Sequence, residues 1–206
     1  MYSSKENVNI LTALLVKEGI TKAVVCPGSR NSPIVHNLCA CLDITCYPVT
    51  DERSAGFVAL GMTLADNEPV AVCVTSGSAL LNIAPAAAEA YYQNRPLIII
   101  SADRPVQWID QQDGQTIHQQ NALSPNVRKS VTLPEPHDDE ERWYCNRLVN
   151  EALNASTIDG GSPVHINVAI GEPLFDYRVL QLPDERRTIL HRAVTDVARV
   201  CEVAAD

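Results

Sequence analysis

Two arginines and one carboxylate stand where they could do chemistry. Arg30 closes the run "VVCPGSR", Arg104 follows "LIIISAD", and Glu52 sits in "VTDERSAG". Each comes just past an apolar stretch that reads as a buried strand. Each should therefore emerge at the carboxyl end of a strand, where open α/β sheets bind their ligands. Guanidinium groups hold carboxylates through paired N–H donors, so Arg30 and Arg104 can form a clamp for an anionic substrate. The alternative for Arg104 is a surface pair with Asp103. Asp51 and Glu52 open a helix, where acids ordinarily complement the helix dipole. Yet the residues that follow, Ala55, Gly56 and Phe57, are small or apolar, and a carboxyl in such surroundings could handle a proton near neutral pH.

The standard catalytic loops are missing. Cysteine phosphatases need five residues between cysteine and arginine so that the backbone can encircle a phosphate, and only three separate Cys26 from Arg30. Neither Gly-x-x-x-x-Gly-Lys-Ser/Thr nor Gly-x-Gly-x-x-Gly occurs. The simpler reading of "CPGSRNSP" is a strand-to-helix turn in which Gly28 supplies an unusual dihedral and Ser29 or Ser32 caps the helix. "VTSGSALL" lacks the Gly-x-Ser-x-Gly elbow of a serine hydrolase. Ser76 and Gly77 read instead as a turn whose helix amides could back a ligand. The five histidines are dispersed, with only His118 near the proposed rim, and no protein-ligated metal is expected. The seven cysteines form no Cys-x-x-Cys pair and read as small buried hydrophobes.

The elements that must position these groups alternate regularly. Helical spacing over residues 6–18 precedes a strand at Lys22–Val25. Helices from about Pro33 to Leu42, Glu52 to Ala65 and Ser78 to Gln93 then alternate with extended runs at Ile44–Val49, Val70–Val74 and "PLIIISA". A polar loop spans Arg104 to Gln120. Val127–Leu133, the helix "EERWYCNRLVNEALNAS" and the strand "SPVHINVAI" complete the pattern. Strands apolar on both faces imply an α/β fold, a doubly wound, mostly parallel sheet of about six strands with helices on both faces. The domain is expected over residues 1–175, with 176–206 a linker and the start of a following domain absent from this chain; "AVTDVARVCEVAAD" carries a short amphipathic helix pattern.

Composition sets the class of partner. The 206 residues are 46% hydrophobic, enough for a well-buried core. A net charge of −9, from 16 Lys and Arg against 25 Asp and Glu, argues against nucleic acid or an anionic membrane as partner. Charges flank the short apolar run near the N-terminus, which fits neither a signal peptide nor a membrane span, so a cytoplasmic protein is expected.

In this order, "CPGSRNSP", "TDERSAGFVALG", "VAVCVTSGSALLNIAPAAAEA" and "IIISADRP" followed by "GQTIHQQ" closely resemble a known family over residues 5–175. That family is the menaquinone-pathway 2-succinyl-5-enolpyruvyl-6-hydroxy-3-cyclohexene-1-carboxylate synthases, in their N-terminal, pyrimidine-binding domain. The resemblance implies a transferase that decarboxylates 2-oxoglutarate on thiamine diphosphate and adds the succinyl unit to isochorismate. It implies that Glu52 hydrogen-bonds the aminopyrimidine, catalytically, with Ser76 and Gly77 beside the cofactor. Ser29, Arg30, Arg104 and Gln115 are the implied substrate residues. The sequence reads Asp113-Gly114-Gln115 where a polar side chain is expected before the glutamine, so Gly114 offers only backbone. The family's Gly-Asp-Gly motif is not among these residues. The resemblance therefore implies that the diphosphate and its Mg²⁺ or Mn²⁺ are held by an absent domain. The fragment alone should be inactive, and assembly into a homo-oligomer, dimer or tetramer, should run through this domain. Two other readings stay open: another thiamine diphosphate carboligase, or a non-catalytic anion-binding module.

Overall fold

The computed structural model describes residues 1–188. The chain alternates helix and strand as α1 (Glu6–Glu18), β1 (Lys22–Val25), α2 (Ser32–Ala40), β2 (Thr45–Pro48), α3 (Glu52–Asp66), β3 (Val70–Val74), α4 (Ser78–Asn82), α5 (Ala84–Tyr92), β4 (Leu97–Asp103), β5 (Lys129–Leu133), α6 (Asp139–Ser156) and β6 (Val164–Ala169). The six strands form one sheet in the order β2-β1-β3-β4-β6-β5, and every pairing is parallel. The amphipathic pattern at residues 193–206 lies outside the described residues.

Alternation along each strand divides the core into two layers. Ile98, Ile100 and Ala102 of β4 and Val164, Ile166 and Val168 of β6 face α1, α2 and α6. Leu97 and Ile99 face the other way, where α3, α4 and α5 cover β1, β3 and β4. Burying a side chain of this size contributes about 1.5–3 kcal/mol, so these strands anchor both layers of the core. Winding reverses between β1 and β3: the chain leaves β1 for α2 on one face and leaves β3 for α4 on the other. The carboxyl ends of these two neighbouring strands thus open the crevice in which doubly wound sheets bind ligands.

Local chemistry explains where the elements depart from the sequence pattern. The helix expected from Ser78 to Gln93 is two helices. Pro85 has no N–H to donate to the carbonyl of Leu81, so the first segment stops at Asn82 and α5 restarts with proline in its first turn. Helix α2 ends at Ala40 rather than Leu42, because Cys41 is already extended and Leu42 is fully exposed. Gly28 has no left-handed φ, and neither Ser29 nor Ser32 caps α2, whose N-cap position is Asn31. Glycine is needed there for space instead. A Cβ on Gly28 would lie 2.5 Å from both Asn31 Oδ1 and the Cβ of Thr75, so this turn presses directly on the one after β3.

Residues 171–188 fold back over the α1–α2–α6 layer. Tyr2 and Val179 exchange backbone hydrogen bonds, and the Tyr177 ring stacks on His36 at 3.8 Å while its hydroxyl meets Ser32 Oγ at 2.6 Å. Further on, Glu185 accepts from Arg142 and Asn146, and Arg187 pairs with Glu18 and donates to Asn150. Among the cysteines, Cys26, Cys41, Cys73 and Cys145 are buried as expected, but Cys39 is exposed and Cys46 half-buried. Burial pushes the Cys26 and Cys145 thiols up to about 12, which leaves them inert at neutral pH.

One half of the sheet face breaks the apolar rule. Ser101 of β4, His165 and Asn167 of β6 and Ser130 of β5 all point to the side opposite α6. Ser101 Oγ donates to Asn167 Oδ1, so His165 Nε2, 2.8 Å from that hydroxyl, carries the proton, and Nδ1 accepts from Ser130 Oγ. With no acidic partner, buried His165 is held neutral, its pKa depressed from 6.5 to about 4. The unfolded chain takes up a proton near pH 6.5 that the folded chain refuses until about pH 4. The resulting stability is complete above pH 6.5 and lost as pH falls toward 4, up to about 3 kcal/mol. Urea unfolding of the native chain should show this loss between pH 7 and 5, and His165→Gln should flatten that part of the profile. An unchanged slope in the variant would assign the acid sensitivity to other groups.

Candidate functional site

The two turns at the switch point and the loop after β4 meet at one rim. Gly77 adopts φ +78° and ψ −142°, a conformation open essentially to glycine alone. This lets the chain reverse from β3 into α4 with its backbone against Gln115, whose carbonyl oxygen would be 2.9 Å from a Cβ at position 77. Ser76 is buried and its hydroxyl accepts from Arg104 Nη1 at 2.6 Å; the same nitrogen reaches the Gln115 carbonyl at 3.3 Å. Arg104 thus stitches the end of β4 to the turn after β3. The backbone N–H of Arg104, not its guanidinium, is what meets Asp103, so the surface pair considered for these two residues is absent and Arg104 faces the rim.

Arg30 arrives from the turn after β1. Its Nη1 donates to the Ile170 carbonyl at 2.9 Å and lies 3.3 Å from Glu172 Oε1, while its Nε is buried with no hydrogen-bond partner. Burial first, and the nearby Arg104 charge second, lower its pKa. The two guanidinium groups are therefore electrostatic neighbours at the ends of β1 and β4.

Glu52 occupies the first turn of α3. Asp51 is the N-cap and accepts from the Ser54 N–H at 2.7 Å, so the helix end is served without Glu52. The half-buried Glu52 helps to raise the Cys26 thiol, which sets its charge beside the end of β1. Of the residues singled out in the sequence, the structure joins Ser76, Gly77, Arg104 and the backbone of Gln115 by direct contact, with Arg30 close enough to feel the Arg104 charge. The Gln115 side chain is exposed, as is Ser29, whose carbonyl accepts from the Ser32 N–H. Glu52 lies on the Cys26 side of the crevice.

The residue that assembles the rim was not singled out. Gln119 is completely buried; its Oε1 accepts from the Gly77 N–H at 2.7 Å, and its Nε2 donates to Ala102 O at 3.0 Å and Asn167 Oδ1 at 2.7 Å. Asn167 in turn donates to Asp103 Oδ2, whose other oxygen accepts from the Arg104 N–H. Burial raises the Asp103 pKa, against the opposing pull of these two hydrogen bonds. The available signal was the polar alternation His165, Asn167 in β6 and Ser101, Asp103 in β4, which calls for a polar cover. His118, by contrast, is exposed and pairs with Asp110.

Comparison with known proteins fits this arrangement. Residues 6–123 match the family described as thiamine pyrophosphate enzyme, N-terminal TPP binding domain. A 2-succinyl-5-enolpyruvyl-6-hydroxy-3-cyclohexene-1-carboxylate synthase of Bacteroides fragilis is 58% identical over 90% of this chain and 34% of its own length. The enzyme of the same name from Porphyromonas gingivalis is 45% identical over 84% of the chain and 30% of its own length. That of Desulfotalea psychrophila is 42% identical over 84% and 32%. The chain spans about a third of the length of these curated relatives.

Replacing Gln119 with leucine keeps the volume but leaves the Gly77 N–H, the Ala102 carbonyl and the Asn167 amide short of partners. We expect a loss of about 3 kcal/mol in urea unfolding and faster hydrogen exchange at the Gly77 amide. A native-like midpoint would show that the 104–120 loop is held by other contacts.

Proposed function

The chain belongs to the thiamine pyrophosphate enzyme family through its N-terminal TPP binding domain, and on that premise we propose that it is the pyrimidine-binding part of a synthase. The reaction we assign is decarboxylation of 2-oxoglutarate and addition of the succinyl unit to isochorismate, giving 2-succinyl-5-enolpyruvyl-6-hydroxy-3-cyclohexene-1-carboxylate. The observation that carries this reading is that Arg104, held on Ser76 in the turn after β3, and Arg30, held on the Ile170 carbonyl from the turn after β1, both reach the rim of the crevice, in a chain 58% identical to a synthase of that name. Two cations from separate strands suit substrates that each carry two carboxylates. They also give an acidic chain a local means of holding anions.

The residues present fit the pyrimidine end of the cofactor. Glu52 is a half-buried carboxylate free of capping duty beside small residues, and Gly77 forms a turn in which a side chain would collide with the neighbouring loop. When bound, thiamine diphosphate supplies the electron sink for losing carbon dioxide from a 2-oxo acid and passing on the remaining acyl unit. Glu52 would hydrogen-bond a pyrimidine ring nitrogen and hold a proton there. Ser76 and Gly77 would back the ring; Arg30 and Arg104 would bind substrate carboxylates, with Ser29 and Gln115 adding neutral hydrogen bonds. The diphosphate and its Mg²⁺ or Mn²⁺ would fall to the part of the longer protein outside this third.

We further propose homo-oligomer formation through the α3–α4 face, which exposes Phe57, Val58, Leu64 and Leu81. The enzyme would work in the cytoplasm; among the described residues no helix is long and apolar enough to cross a membrane.

The full-length protein should form product from 2-oxoglutarate and isochorismate with thiamine diphosphate and Mg²⁺. Glu52→Gln should lower that rate by about 10²–10⁴-fold without changing the melting temperature. Full activity in the variant would remove Glu52 from the chemistry, and a native protein without activity would sink the assignment. In sedimentation, Phe57→Arg combined with Leu81→Arg should shift the full-length protein to smaller species; an unchanged assembly would place the interface elsewhere.

A further inference from the structure

Each arginine of the rim is already engaged by an acid of the same chain. Arg104 Nε donates to Asp113 Oδ2 at 2.5 Å, and Arg30 Nη1 stands 3.3 Å from Glu172 Oε1. The exposures are unequal. The guanidinium side chains are only 10% and 13% exposed, whereas Asp113 is 39% and Glu172 69% exposed. The cations are therefore fixed in the protein, while the acids can swing into water and recover their hydration at little cost. Arg104, and more weakly Arg30, hold the Asp113 carboxyl below the usual carboxylate range, so it is charged at any working pH. The acids also leave the site unsaturated, since Arg30 Nε keeps a buried N–H with no acceptor.

We propose that Asp113 and Glu172 are resident counter-carboxylates of the arginine pair, which a substrate carboxylate must displace in order to bind. This rests on the reading of Arg30 and Arg104 as the substrate clamp. In the free protein the acids offset the repulsion between two neighbouring guanidinium groups. Binding is then an exchange of one carboxylate for another, so affinity is set by the difference between the two. Weak anions gain nothing from the exchange; a ligand presenting two carboxylates gains at both arginines while losing its translational freedom once. Asp113 lies two residues before Gln115, whose carbonyl also sits on Arg104. Release of Asp113 would therefore free the segment that bears the exposed Gln115 amide. Asp113 and Glu172 are specificity residues acting through the arginines, not catalytic ones.

The test uses the 206-residue chain, with succinate as the probe at constant ionic strength. The Nε–H resonances of Arg30 and Arg104 are followed by NMR. Asp113→Asn should bind succinate about three- to tenfold more tightly than the native chain, the difference read at Arg104. Glu172→Gln should do the same at Arg30, and Asp113→Glu should restore native affinity. A merely structural role would not raise affinity, and the melting temperature serves as its control. Equal affinities in native chain and variants would overturn the proposal while leaving the clamp standing. Weaker binding by Asp113→Asn would overturn it by making Asp113 a support for Arg104. Failure of succinate to move either resonance in any of these proteins would remove the clamp itself, and the proposal with it.

Discussion

A buried hydrogen-bonding group must find a partner or cost several kilocalories, and this requirement organises the functional end of the molecule. The face of β4, β6 and β5 opposite α6 presents Ser101, Asp103, Ser130, His165 and Asn167. No apolar helix could cover such a surface. The segment after β4 does so by laying the Gln119 amide into it, and the carbonyl end of the same amide fixes the Gly77 turn. One glutamine thus couples the polar half of the sheet to the crevice at the switch point. Arg104, at the root of the covering loop, is aimed by the same network through its own N–H on Asp103.

Electrostatics then works within a frame that hydrogen bonding has set. Two guanidinium groups are electrostatic neighbours at the rim in a chain of net charge −9. The excess acid is not spread uniformly: Asp113 and Glu172 stand beside the two arginines. The two guanidinium charges are thereby offset by acids that remain exchangeable, because exposed carboxylates exchange with solvent far more readily than buried ones. On the other side of the crevice, Asp51 takes the capping duty of α3 and leaves Glu52 available.

The segment after β6 contributes more than a connection. Ile170 and Glu172 hold Arg30 from behind, and Tyr177 braces Ser32 and His36 at the start of α2. The turn that carries Ser29 and Arg30 is therefore shaped from both sides: by Thr75 pressing on Gly28, and by a strand extension about 140 residues further along the chain.

Strand identity, helix order and fold class were legible from local sequence. Short, largely apolar runs set between helical patterns and turn residues read as buried strands, and Lys22–Val25 and Val70–Val74 appear with the limits expected. The break at Pro85 was equally local and could have been read from the missing N–H. The candidate residues were legible as types at strand ends, since ligands in this class of sheet gather there. Sequence could not decide which of them meet. Whether Arg104 pairs with Asp103 or Asp113, whether Gly28 is needed for its dihedral or for space, and that Gln119 rather than Gln115 lies inside, all depend on contacts between residues 9 to 48 positions apart. Such contacts follow from the packing of the sheet, where burial decides which polar groups need partners and distance decides which partners they find.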